Sequence, residues 1–260
     1  MQELFWSASH QSSERNFRVH EKNLLLTYKN TKSMTYLELD AWMPPEEMRP
    51  SMCDNANIDA RGADFRTSQL QGKDLSNALL CRADIRGADL TGVSLENADL
   101  KMACYDSETV WPEGFNFVGS GAIGPKASLS GSFLNNADLR GMNLDGASLM
   151  GAYLSGADLS GASLLNARLV GADLRYAVLR GARCNNARLS GCQLNYADLR
   201  GCNLSEVDFS NIDSIAGADF SFSTIALVEV RKLLGRPYME LDCWNPLTRQ
   251  TTRQSLEGLL

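Results

Sequence analysis

The sequence predicts an all-β solenoid, a chain wound in short extended sides around a thin apolar interior. Three observations predict it. An apolar residue recurs at every fifth position from Phe65 to Tyr105 and again from Leu129 to Phe209. A small residue stands two before most of them, as at Ala147, Ala152, Ala157, Ala162 and Ala167. A glycine stands two after many of them, as at Gly141, Gly146, Gly151, Gly156 and Gly161.

A period of five suits neither regular element. On a helix, five steps turn the side chain by about 140°, so the leucines would spiral over every face. On a strand the side-chain period is 2, so an odd spacing sends successive leucines to opposite faces. All of them reach one interior only if the chain turns a corner within each repeat. The glycine lies where that corner needs a permissive backbone. Leucine and its small partner then point inward and fill a narrow tube. Coils stack at the β spacing of about 4.8 Å and bond their backbones to the coils above and below. The end coils need covering, because open coil edges invite further pairing.

The repeated A-D-L-x-G wording of 63–105 and 127–209 resembles the pentapeptide repeat family. That resemblance implies a right-handed quadrilateral parallel β-helix with four repeats, or about 20 residues, per coil. The residues supply an internal check, since like residues recur 20 apart at Tyr176 and Tyr196, Asn166 and Asn186, and Asn77 and Asn97. Such stacking favours ladders of identical side chains. The 9 repeats of the first run and 17 of the second make about 6.5 coils, a rod of roughly 30 Å. Lys73 falls at an inward position, which predicts an irregular repeat or a side chain that snorkels out.

The elements follow in chain order. Residues 1–55 lack the repeat; two β-prone stretches around Lys29, Asn30, Thr31 and Lys32 predict a hairpin, a β-type N-terminal cap on the first coil. Residues 56–105 are the first run. Residues 106–126 are an inserted loop, since Tyr105 and Leu129 stand 24 apart, one coil plus four. Its Trp111, Phe115 and Phe117 are expected to pack it onto the rod. It is either a packed spacer or a contact loop, because long insertions are frequently functional. Its wording, YDSETVWPEGF followed by GAIGP, resembles insertions in cyanobacterial members of the family. Residues 127–222 are the second run. In 223–260, STIALVEVRKLLG predicts a helix opened by Ser223 or Thr224 and stopped by Gly235, with Arg231 and Lys232 in its last turn. Apolar residues surround most of it, which predicts a well-buried C-terminal α-helical cap. The tail carries Trp244 and the polar TRQTTRQS, expected to pack in part or to reach for a partner.

Composition narrows the function. The chain has 260 residues, a net charge of −6 and 44% apolar residues. No apolar run is long enough for a membrane span, and the N-terminus lacks a basic stretch followed by an apolar one. Seven cysteines without close pairs predict a reduced, cytoplasmic setting. Cys184, Cys192 and Cys202 replace inward residues and read as core. His10 and His20 are a poor metal pair. The aspartates before the leucines recur with the repeat, which predicts local bonding to turn amides rather than acid–base chemistry. No cofactor, metal or catalytic group is expected.

The charge pattern addresses partners. Residues 127–210 hold seven acids and seven arginines. Arg140, Arg180 and Arg200 share a column beside Asp138, Asp158 and Asp198. Without a net basic patch, nucleic-acid binding is not expected. The leading expectation is a non-enzymatic structural or interaction module, a rigid rod that binds a protein partner, as a monomer or weak homodimer without membrane association. Its contact candidates are a strip of Tyr176, Tyr196, Arg180 and Arg200, residue types common among interface anchors, and Trp111 and Phe115 of the insertion. The alternative, implied only by the family resemblance, is a DNA mimic that inhibits DNA gyrase or another topoisomerase. Such a mimic needs an acidic stripe in place of phosphates.

Overall fold

A computed structural model describes residues 58–260 apart from Asp208 and Ser210. The hairpin expected in 1–55, His10, His20 and Cys53 lie outside the described residues.

Each repeat is an extended side and a tight corner. At the corner the leucine-type carbonyl accepts the N–H three residues on, as from Ala152 to Leu149 at 3.1 Å and from Ala157 to Leu154 at 3.0 Å. The third corner residue has positive φ, +61° at Gly151 and +71° at Gly156, as a type II turn requires. Asparagine fills that position at Asn77, Asn97, Asn166 and Asn186, which its short amide tolerates. Tyr176 and Tyr196 fill it as well, with φ +59° and +60°. For a tyrosine this backbone costs about 1–2 kcal/mol.

Between corners the sides pair in parallel with the residue 20 further on, from Asp59 with Leu79 to Arg183 with Asn203. The inward leucine donates to one coil, as Leu149 N–H to Arg168 O at 2.8 Å, and the residue before it to the other, as Ser148 N–H to Ala127 O at 2.8 Å. In the second run these ladders define four faces. Face one carries Ser128, Ser148, Arg168 and Arg188; face two carries Phe133, Tyr153, Asp173 and Gln193. Face three carries Asp138, Asp158, Val178 and Asp198; face four carries Asn143, Ser163, Arg183 and Asn203. Inside, Leu149, Ala152, Leu154, Ala157 and Leu159 are fully buried. Burial of each leucine contributes about 1.5–3 kcal/mol before entropy is counted. Lys73, at an inward position by sequence, is half-buried.

The ladder is interrupted twice. At the insertion Asp89 pairs with Val110, 21 residues on, and Cys104 with Ile123, 19 on. Val118 O accepts Ser128 N–H at 2.9 Å. The amides of Leu95, Asn97 and Leu100 find no hydrogen-bond partner among the described residues, nor do those of Phe133 and Asp138. With the Asn143 amide also without a partner among the described residues, the ladder is open over two sides of the first run and three of the second. Near the end, Gln193 pairs with Ser214, Asp198 with Asp219 and Asn203 with Thr224. These separations of 21 show one extra residue absorbed before Ile215.

The ladder ends at Thr224. Then come α1 (Leu227–Leu234), α2 (Tyr238–Leu241), the antiparallel pair β1 (Trp244–Asn245) and β2 (Gln250–Thr251), and α3 (Thr252–Glu257). Two sequence expectations are corrected here. Neither Ser223 nor Thr224 opens α1; Ala226 precedes it without a side-chain bond. Thr224 is held in the ladder by Cys202 O and Leu204 N–H, and the Ser223 hydroxyl bonds to Phe220 O. Nor is α1 well buried: it buries Val230 and Leu233, while Leu227 and Val228 are more than half exposed. The rod is narrow, so a helix beside it can cover only one stripe.

Candidate protein-binding surface

The aspartates of the repeat are fixed by their own corners. In six repeats an arginine two residues after the aspartate grips it with two nitrogens: Asp59–Arg61, Asp64–Arg66, Asp84–Arg86, Asp138–Arg140, Asp173–Arg175 and Asp198–Arg200, at 2.5–2.8 Å for the closest contacts. The same aspartate accepts the arginine's backbone N–H, as at Asp138 and Arg140. This geometry is bidentate and strong for its type. Hydrogen bonds from Arg140 hold the Asp138 carboxyl down to about 2. At Asp198 burial opposes ionisation, but the bonds from Arg200 and Arg180 outweigh it and hold the carboxyl below its ordinary range.

Of the strip expected from sequence, Tyr176 and Tyr196 stack with ring centroids 5.1 Å apart and planes at 7°. They sit at the corner between faces two and three. Arg180 and Arg200 lie across face three, and both reach Asp198, at 3.0 and 2.6 Å. Their charge is thus already engaged. Sequence reasoning missed a second aromatic pair: Phe133 and Tyr153 stack on face two at 4.8 Å and 6°, with Phe133 79% exposed. Their 20-residue spacing is the signal that singled out Tyr176 and Tyr196. On successive coils, Phe133 and Tyr153 on face two and Tyr176 and Tyr196 at its corner with face three form two stacked pairs, an interrupted aromatic stripe.

In the insertion, Trp111 stacks on Phe115 at 5.5 Å and on Phe117 at 5.3 Å, and Tyr105 meets Trp111 edge-on at 5.3 Å. Trp111 and Phe115 stay partly exposed. The Tyr105 hydroxyl donates to Pro125 O at 2.7 Å and the Thr109 hydroxyl to Ile85 O at 3.0 Å. Beside this cluster an open cleft of about 550 Å³ is lined by Leu95, Asn97, Pro112, Glu113 and Phe115, where the ladder is incomplete.

No group of three or more metal-ligating side chains converges among the described residues. The thiols of Cys192 and Cys202 donate to Leu169 O and Leu179 O inside the tube. Burial pushes the Cys192 thiol up to about 12. The Cys184 thiol beside Cys202, together with burial, raises that of Cys202 as well. Both stay protonated and inert. No helix among the described residues is long and apolar enough to cross a membrane.

The sequence model for pentapeptide repeats matches the chain in 8 copies over 61–97, 126–161, 152–191 and 182–213. The chain is also 31% identical to a pentapeptide repeat protein from the Arabidopsis thaliana thylakoid lumen, over 51% of this chain and 89% of that one, with a TM-score of 0.47. The chain belongs to the pentapeptide repeat family. As a pentapeptide repeat protein it forms the right-handed β-helix expected from its sequence. A second similar structure is HetL from the cyanobacterium Nostoc sp. strain PCC 7120, a pentapeptide repeat protein involved in heterocyst differentiation regulation. It is 26% identical over 65% of this chain and 87% of that one, with a TM-score of 0.43. A third is QnrB1, a plasmid-mediated fluoroquinolone resistance protein, 18% identical over 69% of this chain and 84% of that one, with a TM-score of 0.40. No curated protein sequence matches the chain.

Proposed function

We propose that this pentapeptide repeat protein is a non-catalytic scaffold that binds a protein partner along the aromatic stripe of Phe133, Tyr153, Tyr176 and Tyr196. The stripe's exposure carries the reading, because large rings stacked on a rigid frame offer contact area at little entropic cost. Tyr176 and Tyr196 hold strained backbone that glycine fills at most other corners, and function is a reason to keep them there. Arg180 and Arg200 act as supports for Asp198 and rim the surface. Trp111 and Phe115 extend the contact from the insertion. The C-terminal segment serves as the rod's cap, as its bonds to the last coil suggest, and leaves the protein a monomer or a weak homodimer. The buried, protonated thiols suit a reducing, cytoplasmic setting.

The test is affinity capture from the native cell with the wild type and with Tyr176→Gly combined with Phe133→Ser. Both changes fall on exposed side chains and leave Asp198 paired. The expected result is a specific partner held by the wild type and lost by the variant. Recovery of the same partners by both sinks the stripe.

A DNA mimic acting on gyrase is the weaker reading. Asp138 and Asp198 are gripped by arginines on the face that would have to imitate phosphates, so little uncompensated negative charge is left there. A supercoiling assay decides it: the scaffold reading expects no inhibition at micromolar protein.

A further inference from the structure

Most arginines of the repeat stand directly after the leucine or directly before it, and only the first position is neutralised; Arg82, at a turn position with φ +61°, belongs to neither group. After the leucine, Arg61, Arg66, Arg86, Arg140, Arg175 and Arg200 each grip their own aspartate. Before the leucine, or before Cys184 in its place, Arg168, Arg183 and Arg188 stand in mid-face, where no corner aspartate reaches. All three are exposed. None has an ion pair or a side-chain hydrogen bond among the described residues.

They lie together. Arg168 and Arg188 are direct ladder partners on face one, so their side chains leave adjacent coils about 4.8 Å apart. Arg183 is on face four, one corner before Arg188 on the same coil. Asn166 and Asn186 both hold the positive-φ position at that corner, one coil apart, and add amide groups. Three acids fall nearby in the register: Glu206 one coil on at the same corner, Asp208 at the sequence position 20 after Arg188, and Asp145, whose carboxylate is held by the Ser163 hydroxyl and Leu165 N–H. Like charges directly opposite in a ladder destabilise it. Arg168 and Arg188, without an ion pair among the described residues, therefore oppose the fold locally, where six repeats supply an aspartate to the arginine that follows the leucine.

We propose that Arg168, Arg183 and Arg188 form a docking surface for an acidic, extended segment of a partner protein. It lies on the edge of the rod diagonally opposite the aromatic stripe and is independent of it. Guanidinium groups bind carboxylates in planar, two-point fashion, and three of them around one corner fit a short run of glutamates or aspartates. The extent of the patch selects a peptide over a nucleic acid. It is three arginines wide, has no stacking aromatics, and offers no basic track along which a phosphate backbone could continue.

The probe is a fluorescent twelve-residue all-glutamate peptide, followed by anisotropy at low and physiological salt. The wild type is expected to bind it and to weaken as salt rises. The variant R168Q/R183Q/R188Q is expected to bind at least tenfold more weakly. The control R66Q/R140Q/R175Q removes the same net charge from gripped positions and is expected to change binding less than twofold. Equal loss in both variants, or loss in neither, overturns the proposal. Tighter binding of a single-stranded oligonucleotide of equal charge also overturns it, in favour of a nucleic-acid site. Thermal unfolding supplies a second readout: R168Q/R188Q is expected to melt at the wild-type temperature or above it, and a lower melting temperature removes the argument from uncompensated charge.

Discussion

The two interruptions of the ladder solve the same problem in different ways. Where the second run ends, side chains from 236–255 close the last coil. Arg236 donates to Ile212 O and Asp213 O, Glu240 accepts Ile215 N–H, and Asn245 donates to Gly217 O. Gln250 donates to Asp219 and Ser221, Thr252 to Ile215 O, and the Ser255 hydroxyl accepts Phe220 N–H. At the insertion fewer side chains do this: Asp106 accepts Gly87 N–H and the Thr109 hydroxyl donates to Ile85 O. Rings plug the tube, and the amides of Leu95, Asn97 and Leu100 stay open beside a cleft. A solenoid end needs hydrogen-bonding partners as well as an apolar lid. An interior break can leave some edge groups to solvent, because coils on both sides hold the tube.

That contrast can be broken first at the C-terminal end. Removing 236–260 deletes eight side-chain bonds to the last coil, worth roughly 1 kcal/mol each, and bares its edge. The expected outcome is loss of amide protection over 214–224 and self-association on size exclusion. A protein that stays monomeric and protected would show that the polar closure is dispensable.

A smaller effect separates two glycines. A Cβ at Gly124 would stand 2.7 Å from Tyr105 O and 2.8 Å from its ring, against a backbone atom that cannot yield. At Gly217 the nearest atom is the Tyr196 ring, 2.6 Å away, which can swing aside. Gly124→Ala should cost about 1–3 kcal/mol by overpacking. Gly217→Ala should cost less from crowding but carries the strain of φ +72°, about 1–2 kcal/mol. Urea midpoints rank the two, and Gly217→Ala should also disturb the Tyr176–Tyr196 stack.

Acid should distinguish the regions next. Burial disfavours charge on Glu240, but the Arg236 guanidinium and Ile215 N–H outweigh it and hold the carboxyl below its ordinary range. Its stabilising contribution is complete above the unfolded value of about 4.3 and is lost as pH falls through the lower folded one. Exchange at Ile215 N–H, corrected for intrinsic rate, should accelerate below about pH 4. Exchange at Ile123 N–H, bonded to Ala103 O, should change less. The smallest effect belongs to Tyr176→Gly. Relief of left-handed strain, about 1–2 kcal/mol, opposes loss of a stacked pair, about 0.5–1.5 kcal/mol, so the melting temperature should barely move while partner binding falls.

The tube was legible because its signal is periodic. Leu149, Leu154 and Leu159 announce themselves by spacing, and so do Tyr176 and Tyr196. Phe133 and Tyr153 carry the same spacing but differ from each other in type, and both fall before the leucine rather than after it. The closure by Asn245, Thr252 and Ser255 was not legible. It depends on which polar atoms meet the edge of one coil, and nothing in 236–255 follows the five-residue period. The helix at 227–234 was read correctly as a helix and wrongly as buried, since its apolar content exceeds what a narrow rod can cover. Arg180 and Arg200 were visible as a column, but their capture by Asp198 is a matter of distance, which periodicity alone does not supply.

The 20-residue register has a consequence for how such a chain can change length. Duplicating 143–162 would add one complete turn and return every later residue to its own face. The distance between the insertion and the C-terminal end would grow by about 4.8 Å, with the same groups facing outward at each. Duplicating 15 residues would instead rotate everything downstream by a quarter turn. The molecule is thus a ruler graduated in whole coils, on which spacing and bearing can be altered independently.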